Sequence, residues 1–300
     1  MNMAAQKNML WGELRRDEPM ARHTSWRAGG RADRAYVPVD LEDMRLFIAS
    51  LPRNEPVFVV GLGSNLLVRD GGLRGTVILT HGALKVLRLE GNAIYAESGV
   101  PSPKLARFAA VHERVGAEFM AGIPGTIGGA LTMNAGCYGG ETWGIVESVT
   151  TLDRTGQLRQ RTPANYEISY RHVKLRDGTE EWFAAARFKL ARGDGAKSRA
   201  TIKELLERRI AAQPLNLPNA GSVFRNPPND HAARMIEACG LKGRVQGGAM
   251  ISDKHANFIV NTGGARAADI EALIELAHSA VKAKFNIDLE REVRIVGEAA

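Results

Sequence analysis

The chain has 300 residues, 44% hydrophobic and 24% charged, with a formal net charge of +7 and a pI near 9.6. Those values suit a soluble globular protein long enough for about two or three domains. No apolar run reaches the roughly 18 residues of a membrane helix, and residues 1–19 lack the apolar core of a signal peptide. Basic residues are scattered among acidic ones and aromatics make up 6%. That argues against a base-stacking nucleic-acid platform and for sites that hold small anions such as phosphates and carboxylates. The two cysteines, Cys137 and Cys239, lie far apart, which points to a reducing cytoplasm rather than a disulfide framework.

In chain order, residues 57–60 (VFVV) read as a short buried strand, followed by GLGSN and a second apolar run, Leu66-Leu67-Val68. Asp70-Gly71-Gly72 marks a turn, and Val77-Ile78-Leu79 a further strand. Residues 93–98 alternate loosely. Residues 103–115 carry Leu105, Phe108, Ala109 and His112 at helical spacing before Gly116. Residues 122–136 (GIPGTIGGALTMNAG) are too rich in glycine for a core helix and too apolar for a linker. Strands are expected at 145–152, 157–162 and 182–190, and ARGDGAK at 191–197 is the best domain boundary. A helix follows at 200–212 with Ile202, Leu205, Leu206 and Ile210 on one face. A second helix spans about 269–284, capped by Asp269 and striped by Ile270, Leu273, Ile274, Ala277 and Val281. A strand from Leu289 to Val296 ends the pattern, with Leu289, Val293 and Ile295 on one face and Glu290, Glu292 and Arg294 on the other. Without regular βα alternation the class is α+β.

GLGSN at 61–65 begins like a dinucleotide fingerprint but lacks its third glycine, since position 66 is Leu66 and a strand follows. GIPGTIGG lacks the Gly-Lys-Ser/Thr of a phosphate loop. Two glycine-rich loops remain, with Ser64, Asn65 and Thr126 as side-chain donors, suited to a dinucleotide lying against bare backbone. The seven histidines contain no pair at ligand spacing, so no metal site is expected. ISYRH at 168–172, NAGSVFRNP at 219–227 and LEREVRIVG at 289–297 each have, taken singly, a plain reading as strand, turn and solvated face.

Taken together these stretches, with GGAMISDKHANFIVN at 247–261, stand in an order that resembles the UDP-N-acetylenolpyruvoylglucosamine reductases of bacterial peptidoglycan synthesis. The resemblance runs from His23-Thr24-Ser25-Trp26-Arg27-Ala28-Gly29-Gly30 to Gly297. It implies non-covalent FAD in a two-part α+β domain of the vanillyl-alcohol oxidase type, residues 1–195 split near 75–80, and a C-terminal α+β substrate domain, residues 196–300. Gly61, Gly63, Ser64, Asn65, Gly122, Ile123, Pro124, Gly125, Thr126, Gly128, Gly129 and Asn134 would bind the cofactor. His172, Val173 and Arg187 are lesser cofactor candidates.

The family reaction implies NADPH as co-substrate. Reduction of UDP-N-acetylglucosamine enolpyruvate to UDP-N-acetylmuramate would use Arg171 at the substrate carboxylate, Glu292 beside it and Ser222 as proton donor. Tyr170 and Asn226 would contact the nucleotide substrate. The chain resembles the short form of the family, without the loop whose tyrosine clamps the diphosphate. It also departs from many relatives in having Ala212 where they have lysine, so that Arg208 or Arg209 would take over the phosphate contact. The remaining expectations are a cytoplasmic monomer with neither nucleic-acid nor membrane partners. The alternative is an FAD-dependent oxidoreductase of the same fold acting on another substrate.

Overall fold

A computed structural model of the chain describes residues 10–300. It divides into two compact units: the first comprises Arg34–Gly61 and Gly75–Leu206 with the N-terminal segment to Arg16, the second Asp17–Asp33, Leu62–Arg74 and Glu207–Ala300. The division thus differs from a single cut at 195/196, because two early segments join the C-terminal third.

The first unit is built on an antiparallel five-stranded sheet, ordered Leu158–Arg161, Val146–Asp153, Glu181–Lys189, Ala93–Glu97, Leu87–Glu90. A parallel pair joins Val57–Val60 to residues 76–79. Helix α1, Leu41–Ser50, is capped by Asp40, whose side chain accepts from Asp43 N at 2.8 Å. It buries Met44, Phe47 and Ile48, and Phe47 stacks on Tyr36 with ring centroids 3.6 Å apart. Asp43 is fully buried on the same helix and accepts from Tyr36 OH at 2.8 Å, Val39 N at 3.0 Å and Trp11 N at 2.9 Å.

Helix α2, Ser102–Val111, is shorter than the pattern at 103–115 suggests. Glu113 turns the chain at φ +54°, after which Arg114–Val115 pairs with Ala191–Arg192. Helix α3, Ile127–Thr132, lies inside the glycine-rich segment, where a helix was not expected. Its glycines are tolerated because it is short and because one of them must be bare: a Cβ on Gly128 would sit 2.9 Å from Ser98 Cβ. Helix α4, Gly195–Ala212, begins five residues before the expected start, since Asp194 Oδ1 accepts from Ala196 N at 2.8 Å and Lys197 N at 3.1 Å. Ile202 is buried, whereas Ile210 is 62% exposed.

In the second unit α5, Ala232–Ala238, and α6, Ala267–Phe285, share a core with a small antiparallel sheet of Val245–Gln246, Ala249–Ile251 and Ile259–Asn261. The expected apolar stripe of α6 is buried along its whole length. Asp269 lies in the first turn rather than at the cap, its carboxylate accepting from Arg266 N at 2.9 Å. Trp26 is buried, donating from Nε1 to Ile259 O at 2.7 Å while its own carbonyl accepts from Asn261 Nδ2 at 2.9 Å. The strand expected over 289–296 is confined to Arg294–Val296, paired in parallel with Leu66–Val68. Residues 290–293 instead follow residues 223–225, through Phe224↔Arg291 and Arg225 N to Glu290 O at 2.9 Å.

Candidate functional site

In the first unit Gly61 lies against Thr126 of the glycine-rich segment. A Cβ on Gly61 would overlap Thr126 Oγ1, so the bare backbone at Gly61 is required by that side chain. Gly122 is bare for a similar reason, its Cβ position being 2.7 Å from Cys137 Sγ. Ile127 N and Gly128 N donate to Val100 O and Ser98 O, both at 2.8 Å, and Ser102 N donates to Gly125 O at 2.9 Å. The segment is thereby laced to residues 98–102. Ile123, Gly125 and Thr126 are buried and Pro124 is exposed. Gly129 differs from its neighbours. It is exposed, and a Cβ there would meet only Thr126 Oγ1, at 4.0 Å. Protein packing explains Gly61, Gly122 and Gly128 but leaves Gly129 facing open space.

Asn134, expected among the cofactor-binding residues, has its side chain buried among protein partners. It is 1% exposed at φ +40°; its Oδ1 accepts from Trp143 N at 3.1 Å, and Nδ2 donates to Glu141 Oε2 at 2.9 Å and Ser169 O at 3.2 Å. It thereby holds the hairpin of Tyr166–Ser169 and His172–Leu175, whose two-residue turn is Tyr170-Arg171. Arg171 takes φ +55° at the second central position of the turn, as a type II geometry does. The Arg171 guanidinium donates to Gly136 O at 2.8 Å and Asn134 O at 3.3 Å, and lies 5.0 Å from the Tyr170 ring centroid. Arg171 is therefore aimed by the backbone at the end of the glycine-rich segment. Tyr170 is 44% exposed. On the same hairpin, His172 is exposed and Val173 packs on the core. Arg187 lies on the five-stranded sheet, ion-paired with Glu90 and Glu147.

In the second unit the backbone just after Ser222 pairs with that of Glu292. Val223 O accepts from Glu292 N at 2.8 Å and Val293 N at 3.3 Å. The Glu292 carbonyl accepts from Asn65 Nδ2 at 3.0 Å, and Asn65 O accepts from Arg294 N at 3.0 Å. Asn65 thus braces Glu292, and Gly63 is bare because its Cβ would overlap His23 O. Ser64 is half-buried in the same loop. Glu290 is solvent-facing, its side chain 67% exposed and paired with Arg225 at 2.7 Å. Asn226 is exposed, and its Oδ1 accepts from Ala232 N at 3.1 Å at the start of α5.

Near Ala212 a cleft of about 390 Å³ is lined by Ile210, Gln213, Leu215, Met250 and Lys254. Arg209 Nε donates to Gln213 Oε1 at 2.9 Å, and Lys254 Nζ donates to Ile210 O at 2.6 Å, so lysine as well as arginine reaches the end of α4. Sequence reasoning passed over Lys254 and Asn257, although both lie in the quoted stretch at 247–261. For Asn257 the available signal was a polar residue between Ala256 and Phe258. Among the described residues no group of His, Cys, Asp and Glu could hold a metal ion. No helix among them is long and apolar enough to cross a membrane.

Comparison with known proteins places two family matches on this framework. Residues 32–161 match an FAD binding domain, and residues 213–296 match the C-terminal domain of UDP-N-acetylenolpyruvoylglucosamine reductase. The chain is 58% identical to the UDP-N-acetylenolpyruvoylglucosamine reductase of Thiobacillus denitrificans, covering 97% of this chain and 94% of that one. It is also 58% identical to the enzyme of the same name from Nitrosospira multiformis, covering 96% and 90% of the two chains. The crystal structure of UDP-N-acetylenolpyruvylglucosamine reductase from Thermus caldophilus superposes with a TM-score of 0.81 at 32% identity, over 96% of this chain and 99% of that one. FAD fits the residues present: bare, exposed backbone at Gly129 borders open space inside the matched domain.

Proposed function

Because the chain belongs to the UDP-N-acetylenolpyruvoylglucosamine reductase family, we propose that it is an NADPH-dependent reductase converting UDP-N-acetylglucosamine enolpyruvate to UDP-N-acetylmuramate in the cytoplasm, as a monomer. When bound, FAD would supply the hydride-transfer chemistry between NADPH and the alkene of the substrate. The segment 122–129 and the 61–65 loop would hold the flavin, with Gly129 the position where close approach matters most.

The chain's own residues manage the charge and the proton. Hydride arriving at the alkene leaves negative charge on the carbon beside the carboxylate, where cations and donors stabilise it. Arg171, aimed by Asn134 O and Gly136 O, would place its positive charge at the carboxylate. Glu292 in its protonated form would donate to the same group, and the Ser222 hydroxyl would give its proton to the carbon, completing net addition of hydride and proton across the double bond. Tyr170 and Asn226 would contact the nucleotide. The observation that carries this reading is the 2.8 Å bond from Glu292 N to Val223 O, which sets the acid beside the residue after Ser222.

The test separates the two half-reactions. In Ser222→Ala, NADPH should bleach the flavin at the wild-type rate, while reoxidation by the enolpyruvyl nucleotide should slow by about 10²–10⁴, the range for loss of a general acid. Equal losses in both halves would reject the proton-donor role.

A further inference from the structure

We infer that Asn257 is a positioning residue for the proton-transfer site, acting through the Val223–Phe224 backbone on Ser222 and Glu292. The inference rests on the roles proposed above for those two residues and adds the part that sets their geometry.

Residues 218–224 run antiparallel to residues 257–261, but not in simple register. Asn219 pairs with Val260, and Asn261 N donates to Pro218 O at 2.9 Å; further along, Val223 N donates to Asn257 O at 2.9 Å. Between these points lie residues 220–222 on one side and only 258–259 on the other. The extra residue makes a bulge, with Gly221 at φ +74° and its N–H held by Asn219 Oδ1 at 3.0 Å. A bulge re-aims the side chain at the break, and Ser222 stands directly after the glycine. Its neighbours Ala220, Val223 and Phe224 are buried, while Ser222 itself is only half-buried.

A bulge fixes a side chain only if the strand is pinned immediately beyond it. Asn257 does this. Its Oδ1 accepts from Phe224 N at 3.0 Å, and its Nδ2 donates to Phe224 O at 2.8 Å. With Val223 N on its own carbonyl, one residue makes three bonds to the two positions after Ser222. The carboxamide imitates a paired strand where the backbone has no second peptide to offer. It is 3% exposed, so water does not compete for these bonds. On the far side of the same two residues Val223 O receives Glu292 N, and Phe224 bridges Arg291. A shift of Val223 would therefore move Ser222 and Glu292 together. Displacements of about 1 Å in a reacting geometry cost on the order of 10² in rate.

The test uses the full-length flavin-loaded enzyme. Asn257→Asp keeps the acceptor for Phe224 N and removes the donor to Phe224 O. It should slow reoxidation by the enolpyruvyl nucleotide by about 10- to 100-fold, with its KM and the rate of flavin reduction by NADPH close to wild type. In Ser222→Ala/Asn257→Asp the combined loss should fall short of the product of the two single losses, because part of the Asn257 effect runs through Ser222 and only the part through Glu292 remains. Independently of turnover, amide exchange in peptides covering 220–226 and 289–294 should quicken while peptides from α6 stay protected. A folded Asn257→Asp enzyme with wild-type reoxidation, equal losses in both half-reactions, or additive losses in the double variant would overturn the positioning role. If the wild-type flavin is not reoxidised by the enolpyruvyl nucleotide at all, the functional reading fails instead. Unchanged exchange in 220–226 would then still reject Asn257 as the pin.

Discussion

The side-chain amide of Asn65 donates to the carbonyl of Glu292 at 3.0 Å, joining residues 227 positions apart. With Glu292 N on Val223 O, the backbone is held on both sides of that residue. Glu290, two residues earlier, has an exposed carboxylate on Arg225. The two glutamates should therefore respond differently. Glu290→Gln should leave turnover almost intact, since an exposed ion pair is worth about 0–1 kcal/mol. Glu292→Ala should slow substrate-dependent flavin reoxidation by about two orders of magnitude, near 2.7 kcal/mol of transition-state stabilisation. Stopped-flow traces of both half-reactions decide it, and equal mild effects would remove Glu292 from the chemistry.

Gly129 and Gly61 make a second contrast. Gly129→Val adds bulk where the protein leaves room, so the apoprotein should melt near the wild-type temperature while bound flavin per chain falls sharply. Gly61→Ala adds a methyl group against Thr126 and should lower stability by about 1–3 kcal/mol, the usual cost of overpacking. Flavin absorbance and apoprotein melting separate the two. Full flavin content in Gly129→Val would show that the cofactor does not approach this backbone.

Asp43 anchors α1 through one buried carboxylate. Burial first, then the hydrogen bond to Asp43, push the Tyr36 phenol well above its ordinary pKa. Asp43→Ala leaves that hydroxyl and two N–H groups without their acceptor, each worth about 1–3 kcal/mol when buried unpaired. A loss of about 3 kcal/mol or more in urea unfolding is expected. A loss below 1 kcal/mol would mean that water replaces the carboxylate.

Glu97 supplies a pH dependence. Burial raises its carboxyl pKa despite the 2.8 Å hydrogen bond from Val86 N. The folded chain therefore holds this proton more tightly than the unfolded chain. Its contribution is complete below the unfolded carboxyl value and is lost as pH rises through the folded one. Glu97→Gln keeps an acceptor for Val86 N and removes the buried charge. It should be more stable than wild type at pH 7, with the gap closing as pH falls into the carboxylate range. A gap that does not change with pH would contradict this.

Local chemistry was legible without coordinates. The apolar stripe from Ile270 to Val281, the turn at Asp70-Gly71-Gly72 and the α+β class follow from periodicity and turn residues, which act over a few positions. The ordered motifs from His23 to Gly297 carried the family resemblance. What the tertiary structure alone decided depends on which distant backbones become neighbours. Asn134 reads as one more residue of a glycine-rich loop, yet folding encloses its carboxamide between Trp143, Glu141 and Ser169. Alternation over 289–296 suggests one continuous strand, yet 290–293 take their partners from 223–225 and 294–296 from 66–68. The bulge at Gly221 exists only because three residues oppose two. No local pattern encodes that count, since buried N–H and C=O groups must pair with whatever the fold brings within about 3 Å.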